Sequence, residues 1–253
     1  STLAVAAPIR CLAAVAQTPA AGRVWIATCG AMDVADRIRP DARWQRPVWG
    51  VGRVFALEHP SRWGGAVDLD PDVSAADRAI ALLTAIDADD GEDQSAWRAG
   101  HRHVCRLRPA PEPSGPEISL RPDATYLVTD GYGGLGLVVG RWLATRGARV
   151  IALVGRTPVP DAPAIREIEA MGVRVLALRG DVADESSMDD VVRAIAEAGA
   201  PPVRGIVHAA AAMSAAAFVD LSPAQVDAML RPKVEGTIAL ERLAAREPVE
   251  FLV

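Results

Sequence analysis

Five short stretches in the second half of the chain carry residue types that chemistry needs. Thr129-Asp130-Gly131-Tyr132-Gly133-Gly134-Leu135-Gly136 lies between a β-rich run and a run with helical periodicity. Glycines at 131, 133, 134 and 136 allow a tight turn and bring backbone N–H groups close to a pyrophosphate, at the positive end of the helix that follows. Thr129 and Leu135 belong to the same loop. Gly155-Arg156 ends the next predicted strand, 20 residues beyond Gly136. An Asp or Glu there would bind a ribose 2′-hydroxyl; an Arg suits a 2′-phosphate, which favours NADPH over NADH, the alternative being a solvated surface Arg. Asp181-Val182 follows a third strand and could read an adenine edge by side chain or backbone, or form a turn into a helix. His208-Ala209-Ala210 ends a fourth strand, where the nicotinamide end of such a ligand is expected, although a lone His there is more often structural. Lys233, in Arg-Pro-Lys-Val, is the single Lys beside 26 Arg. Aimed into a nicotinamide pocket it could lower the pKa of a phenol or hold ribose and water; otherwise it is an exposed helix Lys.

The elements that must position these residues alternate. Strands are predicted at 125–129, 149–154, 174–178 and 205–209, with a fifth opening at 251–253. Helices are predicted at 137–146, 162–171 and 186–198. A fourth starts after the Ser222-Pro223 cap and reaches about Ala245 through a break at Pro232. Nearly continuous apolar strands alternating with amphipathic helices predict a doubly wound parallel sheet.

The first half reads as α/β without a glycine fingerprint. Helices are expected at 2–17, 49–58 and 74–87, strands at 23–28 and 65–69, and a hairpin within 96–107. No acid–base set converges there, so the expectation is a packing domain. His101 and His103 share a strand face, but two His without a third ligand do not make a zinc site, and no metal is expected. Five prolines in the fourteen residues 109–122 read as a linker. The expected organisation is a structural Rossmann-like subdomain at 1–108, the linker at 109–122, and a cofactor-binding subdomain at 123–253.

Composition narrows the function classes. The 253 residues are half hydrophobic, which excludes intrinsic disorder. With 27 basic and 32 acidic residues the net charge is −5, unlike a nucleic-acid-binding face. No apolar run is long enough to span a membrane. Three scattered cysteines, Cys11, Cys29 and Cys105, form neither a disulfide framework nor a metal spacing, and a cytoplasmic location is expected.

With these motifs in hand, the chain resembles a ketoreductase domain of a modular polyketide synthase, within the short-chain dehydrogenase/reductase superfamily. VWIATCGAM, PVWGVGRVFALEHPSRWGGAVDLD and AWRAGHRHVCRL resemble that family's structural subdomain. YLVTDGYGGLG, the Gly-Arg pair, GDVAD, GIVHAAA and LSPAQVDAMLRPKVEGTIAL resemble its catalytic subdomain, in order and at matching spacing. The resemblance implies NADPH-dependent reduction of a β-ketoacyl group on an acyl carrier protein to β-hydroxyacyl, with other synthase domains as partners. It maps Lys233 onto the catalytic Lys, and Gly131, Gly134, Gly136, Arg156 and Asp181 onto cofactor positions.

The family's Ser, Tyr and Asn would follow the strand beginning at Phe251, and the chain contains no Asn and only Tyr126 and Tyr132. The sequence therefore reads as an internal piece of a longer polypeptide that cannot assemble the full site by itself. Asp130 stands where the family has the first glycine of its loop, and Ala211 where it has a glycine after H-x-A. These departures motivate the alternative of a non-catalytic pseudo-ketoreductase with a structural role in the synthase.

Overall fold

The computed structural model describes residues 2–19, 22–34, 39–88, 90–110 and 120–253. Most of the expected linker, 111–119, lies outside the described residues. Contacts divide the chain into two units: Ser1–Glu112 with Ala215–Val226, and Pro113–Ser214 with Asp227–Val253. Residues 215–226 thus cluster with the first unit although they follow the fourth strand of the second.

In the first unit, α1 (Thr2–Gln17) precedes β1 (Val24–Cys29), α2 (Arg46–Glu58), β2 (Trp63–Leu69), α3 (Ala75–Asp87), β3 (Gln94–Arg98) and β4 (His101–Val104). The sheet order is β1-β2-β3-β4, with only the β3–β4 hairpin antiparallel. Its turn is Ala99-Gly100, both at positive φ, which matches the twist of a two-residue hairpin. α2 starts at Arg46, three residues before the predicted start, because Pro47 is preorganised for a first helical turn. α3 is capped by Ser74, whose Oγ accepts from the Asp77 N–H at 3.2 Å. Phe55, fully buried on α2, meets Phe218 of the 215–226 segment edge-on at 5.7 Å.

The carboxyl ends of β1 and β2 are closed by the unit's own side chains. Asp68 is fully buried and accepts from Thr28 Oγ1 at 2.6 Å, Ala31 N–H at 2.9 Å and Met32 N–H at 3.0 Å. Arg98 completes the ring as its ion-pair partner and also donates to the Met32 carbonyl. A loop that could offer two N–H groups to an anion therefore spends them on a resident carboxylate.

The second unit holds β5 (Thr125–Thr129), α4 (Gly134–Thr145), β6 (Val150–Gly155), α5 (Pro163–Ala170), β7 (Arg174–Arg179), α6 (Glu185–Glu197), β8 (Val203–His208), all but the first turn of α7 (Pro223–Arg246), and β9 (Phe251–Leu252). All five strands are parallel, in the order β7-β6-β5-β8-β9. Strand alternation feeds two cores. Tyr126, Val128, Ile151 and Leu153 pack with Leu143 of α4 and Ile165 and Ile168 of α5. Leu127, Ala152, Val154 and Ile206 pack with Met188, Val191 and Ile195 of α6 and Leu240 and Leu243 of α7. Both faces of β5 and β6 are covered, which is why these strands read as unbroken apolar runs. Each large side chain fully buried here contributes about 1.5–3 kcal/mol of transfer free energy.

Two features of the second unit's helices differ from expectation for physical reasons. α4 begins at Gly134, so the second half of the glycine loop is already the first helical turn. α7 runs without a break through Pro232. The proline removes one intrahelical N–H donor, but the helix is held on both sides of it by Val226, Leu240 and Leu243, which are buried.

Candidate functional site

A parallel sheet places the carboxyl ends of its strands on one edge. In the second unit that edge collects Thr129, Gly155, Arg179 and His208, the last residues of β5, β6, β7 and β8. The strand order reverses between β5, which leads to β6, and β8, so this edge is a topological switch point, where open α/β sheets take ligands.

The loop after β5 follows the strand closely. Gly131 N–H donates to the Val154 carbonyl at 3.0 Å, and a Cβ on Gly131 would stand 2.7 Å from Leu153 Cα. A Cβ on Gly136 would overlap the Asp130 carbonyl and lie 2.7 Å from Gly131 Cα. Only glycine lets the loop and the first turn of α4 nest this tightly. Gly133 is the N-cap of α4 and supplies no capping side chain; the first turn contains no acid. The N–H groups of Gly134, Leu135 and Gly136 therefore lack intrahelical acceptors, the arrangement that receives a phosphate. Leu135 is exposed. Asp130 takes φ +50°, in the left-handed region, and its Oδ2 lies 2.7 Å from where a Cβ on Gly133 would stand.

Tyr132, which the motif reading passed over, props this loop. Its hydroxyl lies 2.9 Å from the Leu153 carbonyl and 3.1 Å from the Leu178 carbonyl, bridging β6 and β7. Burial pushes the phenol up to about 12. The ring rests on Gly155, whose missing Cβ leaves the space for it.

Arg156 and Arg179 line a cleft of about 440 Å³ beside β6 and β7, together with Gly180, Asp181, Ser187 and Asp190. Asp181 is already committed: its Oδ2 takes Arg231 Nη1 at 2.7 Å and its Oδ1 takes the Ala183 N–H at 3.0 Å. Partial burial works to raise its pKa, but the hydrogen bonds from Arg231 and Ala183 and the charges of Arg231 and Arg156 hold the carboxyl below the usual range. Val182 is buried in the second core, leaving its backbone as the part that faces the edge. Arg231 escaped the sequence reading because its partner lies 50 positions away.

Thr129, His208 and Ala210 form one network. Thr129 Oγ1 lies 2.8 Å from His208 Nδ1, His208 Nε2 lies 3.0 Å from the Pro232 carbonyl, and Ala210 N–H donates to Thr129 Oγ1 at 3.2 Å. Both ring nitrogens of His208 thus have protein partners. Ala209 and Ala210 continue from β8 into the loop that meets Lys233. Lys233 Nζ donates to the Ala212 carbonyl at 3.0 Å and the Met229 carbonyl at 3.2 Å. Two carbonyls hold the ammonium at the β8 end of the edge, and among the described residues no carboxylate pairs with it.

Neither phenol of the chain is free for proton transfer: Tyr126 is buried and accepts from the Arg121 N–H at 2.6 Å, and Tyr132 lies on the two carbonyls described above. Among the described residues no His, Cys, Asp and Glu cluster could hold a metal ion. No described helix is long and apolar enough to cross a membrane.

Comparison with known proteins gives two family matches. The model described as "KR domain" matches residues 124–253. The one described as "Polyketide synthase extender module SpnB, Rossmann fold domain" matches residues 3–107. Erythronolide synthase EryA3 of Saccharopolyspora erythraea is 40% identical over 225 residues, covering 87% of this chain and 7% of that protein. Polyketide synthase GfsA of Streptomyces halstedii is 36% identical over 230 residues, covering 88% of this chain and 3% of that protein. Among solved structures, the first ketoreductase of the tylosin PKS matches with a TM-score of 0.80 at 32% identity, over 97% of this chain and 52% of that one. PlmKR1, a ketoreductase from the first module of phoslactomycin biosynthesis in Streptomyces sp. HK803, matches with a TM-score of 0.74 at 37% identity, over 92% and 55%. The chain therefore spans about half of these ketoreductase structures and a small fraction of the curated relatives.

Proposed function

The chain belongs to the ketoreductase (KR) domain family of polyketide synthases, and on that premise we propose that its second unit is the NADPH-binding part of a β-ketoacyl reductase. The substrate is a β-ketoacyl group on an acyl carrier protein, reduced to β-hydroxyacyl. The partners are that carrier and the other synthase domains, and the setting is cytoplasmic. One observation carries the reading: the open N–H groups of α4, the side chain of Arg156 and the Lys233 ammonium all belong to one sheet edge.

The residues fit the cofactor. The Gly131 and Gly136 approaches leave a cradle that a Cβ would fill. Gly134, Leu135 and Gly136 would hold the pyrophosphate by backbone N–H groups, while Gly133, whose N–H donates to the Asp130 carbonyl at 2.9 Å, would shape the turn beneath it. Arg156 would take the 2′-phosphate, and the backbone of Asp181 and Val182 would border the adenine. Thr129, His208, Ala209 and Ala210 would form the floor at the nicotinamide end. When bound, NADPH supplies the hydride.

The chain's own contribution to the proton side is Lys233. A fixed positive charge favours the anionic form of a neighbouring phenol, so it eases proton donation and the return of that phenol to its resting state. The family resemblance assigns the phenol to a Tyr aided by Ser, which Tyr126 and Tyr132 do not supply.

The pseudo-reductase alternative rests on Asp130 and Ala211. The preserved glycine cradle favours the catalytic reading over it. The test is reduction of a carrier-bound β-ketoacyl thioester by the full-length protein, followed by NADPH absorbance. NADPH consumption with β-hydroxyacyl product is the expected result. No NADPH binding and no reduction would establish the structural role instead.

A further inference from the structure

We infer that Arg179 is a second guanidinium for the cofactor's 2′-phosphate, closing with Arg156 as a clamp; this rests on the NADPH reading of the same edge. Arg179 is the last residue of β7, and its register partner on β6 is Gly155, the residue before Arg156. The two arginines therefore leave adjacent strand ends and line one cleft. Both are exposed.

The charges around them are spoken for. Asp181 pairs with Arg231 at 2.7 Å and Asp190 with Arg193 at 2.7 Å. Among the described residues, neither the Arg156 nor the Arg179 side chain has a hydrogen-bond or ion-pair partner. Other arginines of the chain, such as Arg98, Arg121, Arg141, Arg231 and Arg242, are paired with carboxylates. The two like charges on neighbouring strand ends repel, and the carboxylates that share their cleft, Asp181 and Asp190, are hydrogen-bonded to other arginines. A phosphate monoester, close to a dianion at neutral pH, relieves it and matches the planar fork of each guanidinium with paired oxygens. Ribose hydroxyls, by contrast, leave both charges uncompensated, so the clamp discriminates between phosphorylated and unphosphorylated ribose.

The experiment is equilibrium binding of NADP⁺ and NAD⁺ to the full-length protein, wild type, Arg156→Gln, Arg179→Gln and Arg179→Lys. Charge-assisted hydrogen bonds of this kind predict a loss of about tenfold or more in NADP⁺ affinity for Arg179→Gln. NAD⁺ affinity should stay within about twofold, which also reports that the variant is folded. Arg179→Lys should recover part of the loss, since it keeps the charge without the fork. Wild-type NADP⁺ affinity in Arg179→Gln, with loss in Arg156→Gln, would overturn the inference and leave the cofactor reading standing. A wild type that binds neither dinucleotide would overturn both.

Discussion

Thr129 Oγ1 and His208 Nδ1 lie 2.8 Å apart, and their surroundings decide which of them donates. The Pro232 carbonyl can only accept, so His208 Nε2 carries a proton. In the neutral ring Nδ1 is then the acceptor, and the Thr129 hydroxyl donates to it while accepting from Ala210 N–H. Every polar atom of the network is satisfied with the imidazole uncharged. Burial pushes the His208 pKa below its ordinary 6.5, outweighing the Pro232 carbonyl, which favours the charged form.

Acid destabilisation follows from that shift. Above about pH 6.5 the ring is neutral in both folded and unfolded chains. As pH falls from there through the lower folded value, the unfolded chain takes up the proton first and stability drops. Chemical denaturation at stepped pH should show this loss in wild type and its absence in His208→Gln. Gln retains a donor for Pro232 and has no titrating ring. Equal pH dependence in both proteins would refute the assignment.

Asp130 sets two effects against each other. At φ +50° glycine is the easier residue, so Asp130→Gly should not reduce the melting temperature and could raise it slightly. It also removes a carboxylate lying over Gly133, in the loop proposed to hold a pyrophosphate. Dinucleotide affinity should rise by about threefold to tenfold at low salt, less at high salt, as expected for relief of like-charge repulsion. Titration at two ionic strengths checks both parts. Unchanged affinity would mean that the carboxylate does not face the ligand.

The glycines of the loop are not equivalent. Gly136→Ala sets a methyl group against backbone on two sides and should cost about 1–3 kcal/mol and abolish dinucleotide binding. A Cβ on Gly134 meets nothing within 4 Å, so Gly134→Ala should hold or raise stability by up to about 1 kcal/mol. Thermal melts of the two variants separate them; equal melting temperatures would mean the loop is looser than its packing implies.

Lys233 is exposed and its ammonium donates to two backbone carbonyls, so Lys233→Ala should change stability by less than about 1 kcal/mol. Turnover of the carrier-bound ketone by the full-length protein should fall by about 10²–10⁴ while the Kd for NADP⁺ moves less than about threefold. Lys233→Arg should recover little, because a longer planar cation cannot occupy the same pair of carbonyls with its charge at the same point. Rapid-mix kinetics with a binding titration provides the split. Turnover at the wild-type rate in Lys233→Ala would remove the residue from the mechanism.

Much of the fold was legible because it is local. Unbroken apolar strands, the Ser74 cap and the Ser222-Pro223 start are written in neighbouring residues, and β5 begins and ends where its sequence pattern does. The glycine loop was legible for the same reason, since a tight turn between strand and helix needs its glycines in consecutive places. What the sequence could not disclose depends on partners far apart in the chain. Pro232 reads as a break, yet packing of the helix on either side of it carries α7 through. His208 reads as a candidate ligand group, yet Thr129 and Pro232, 79 and 24 positions away, use both its nitrogens. Arg179 carries no signal in the sequence, and only strand register places it beside Arg156 while distant pairings occupy the nearby acids. Chain-local geometry determines which elements form; the charges and hydrogen bonds left over at their ends are settled only when the sheet brings those ends to one edge.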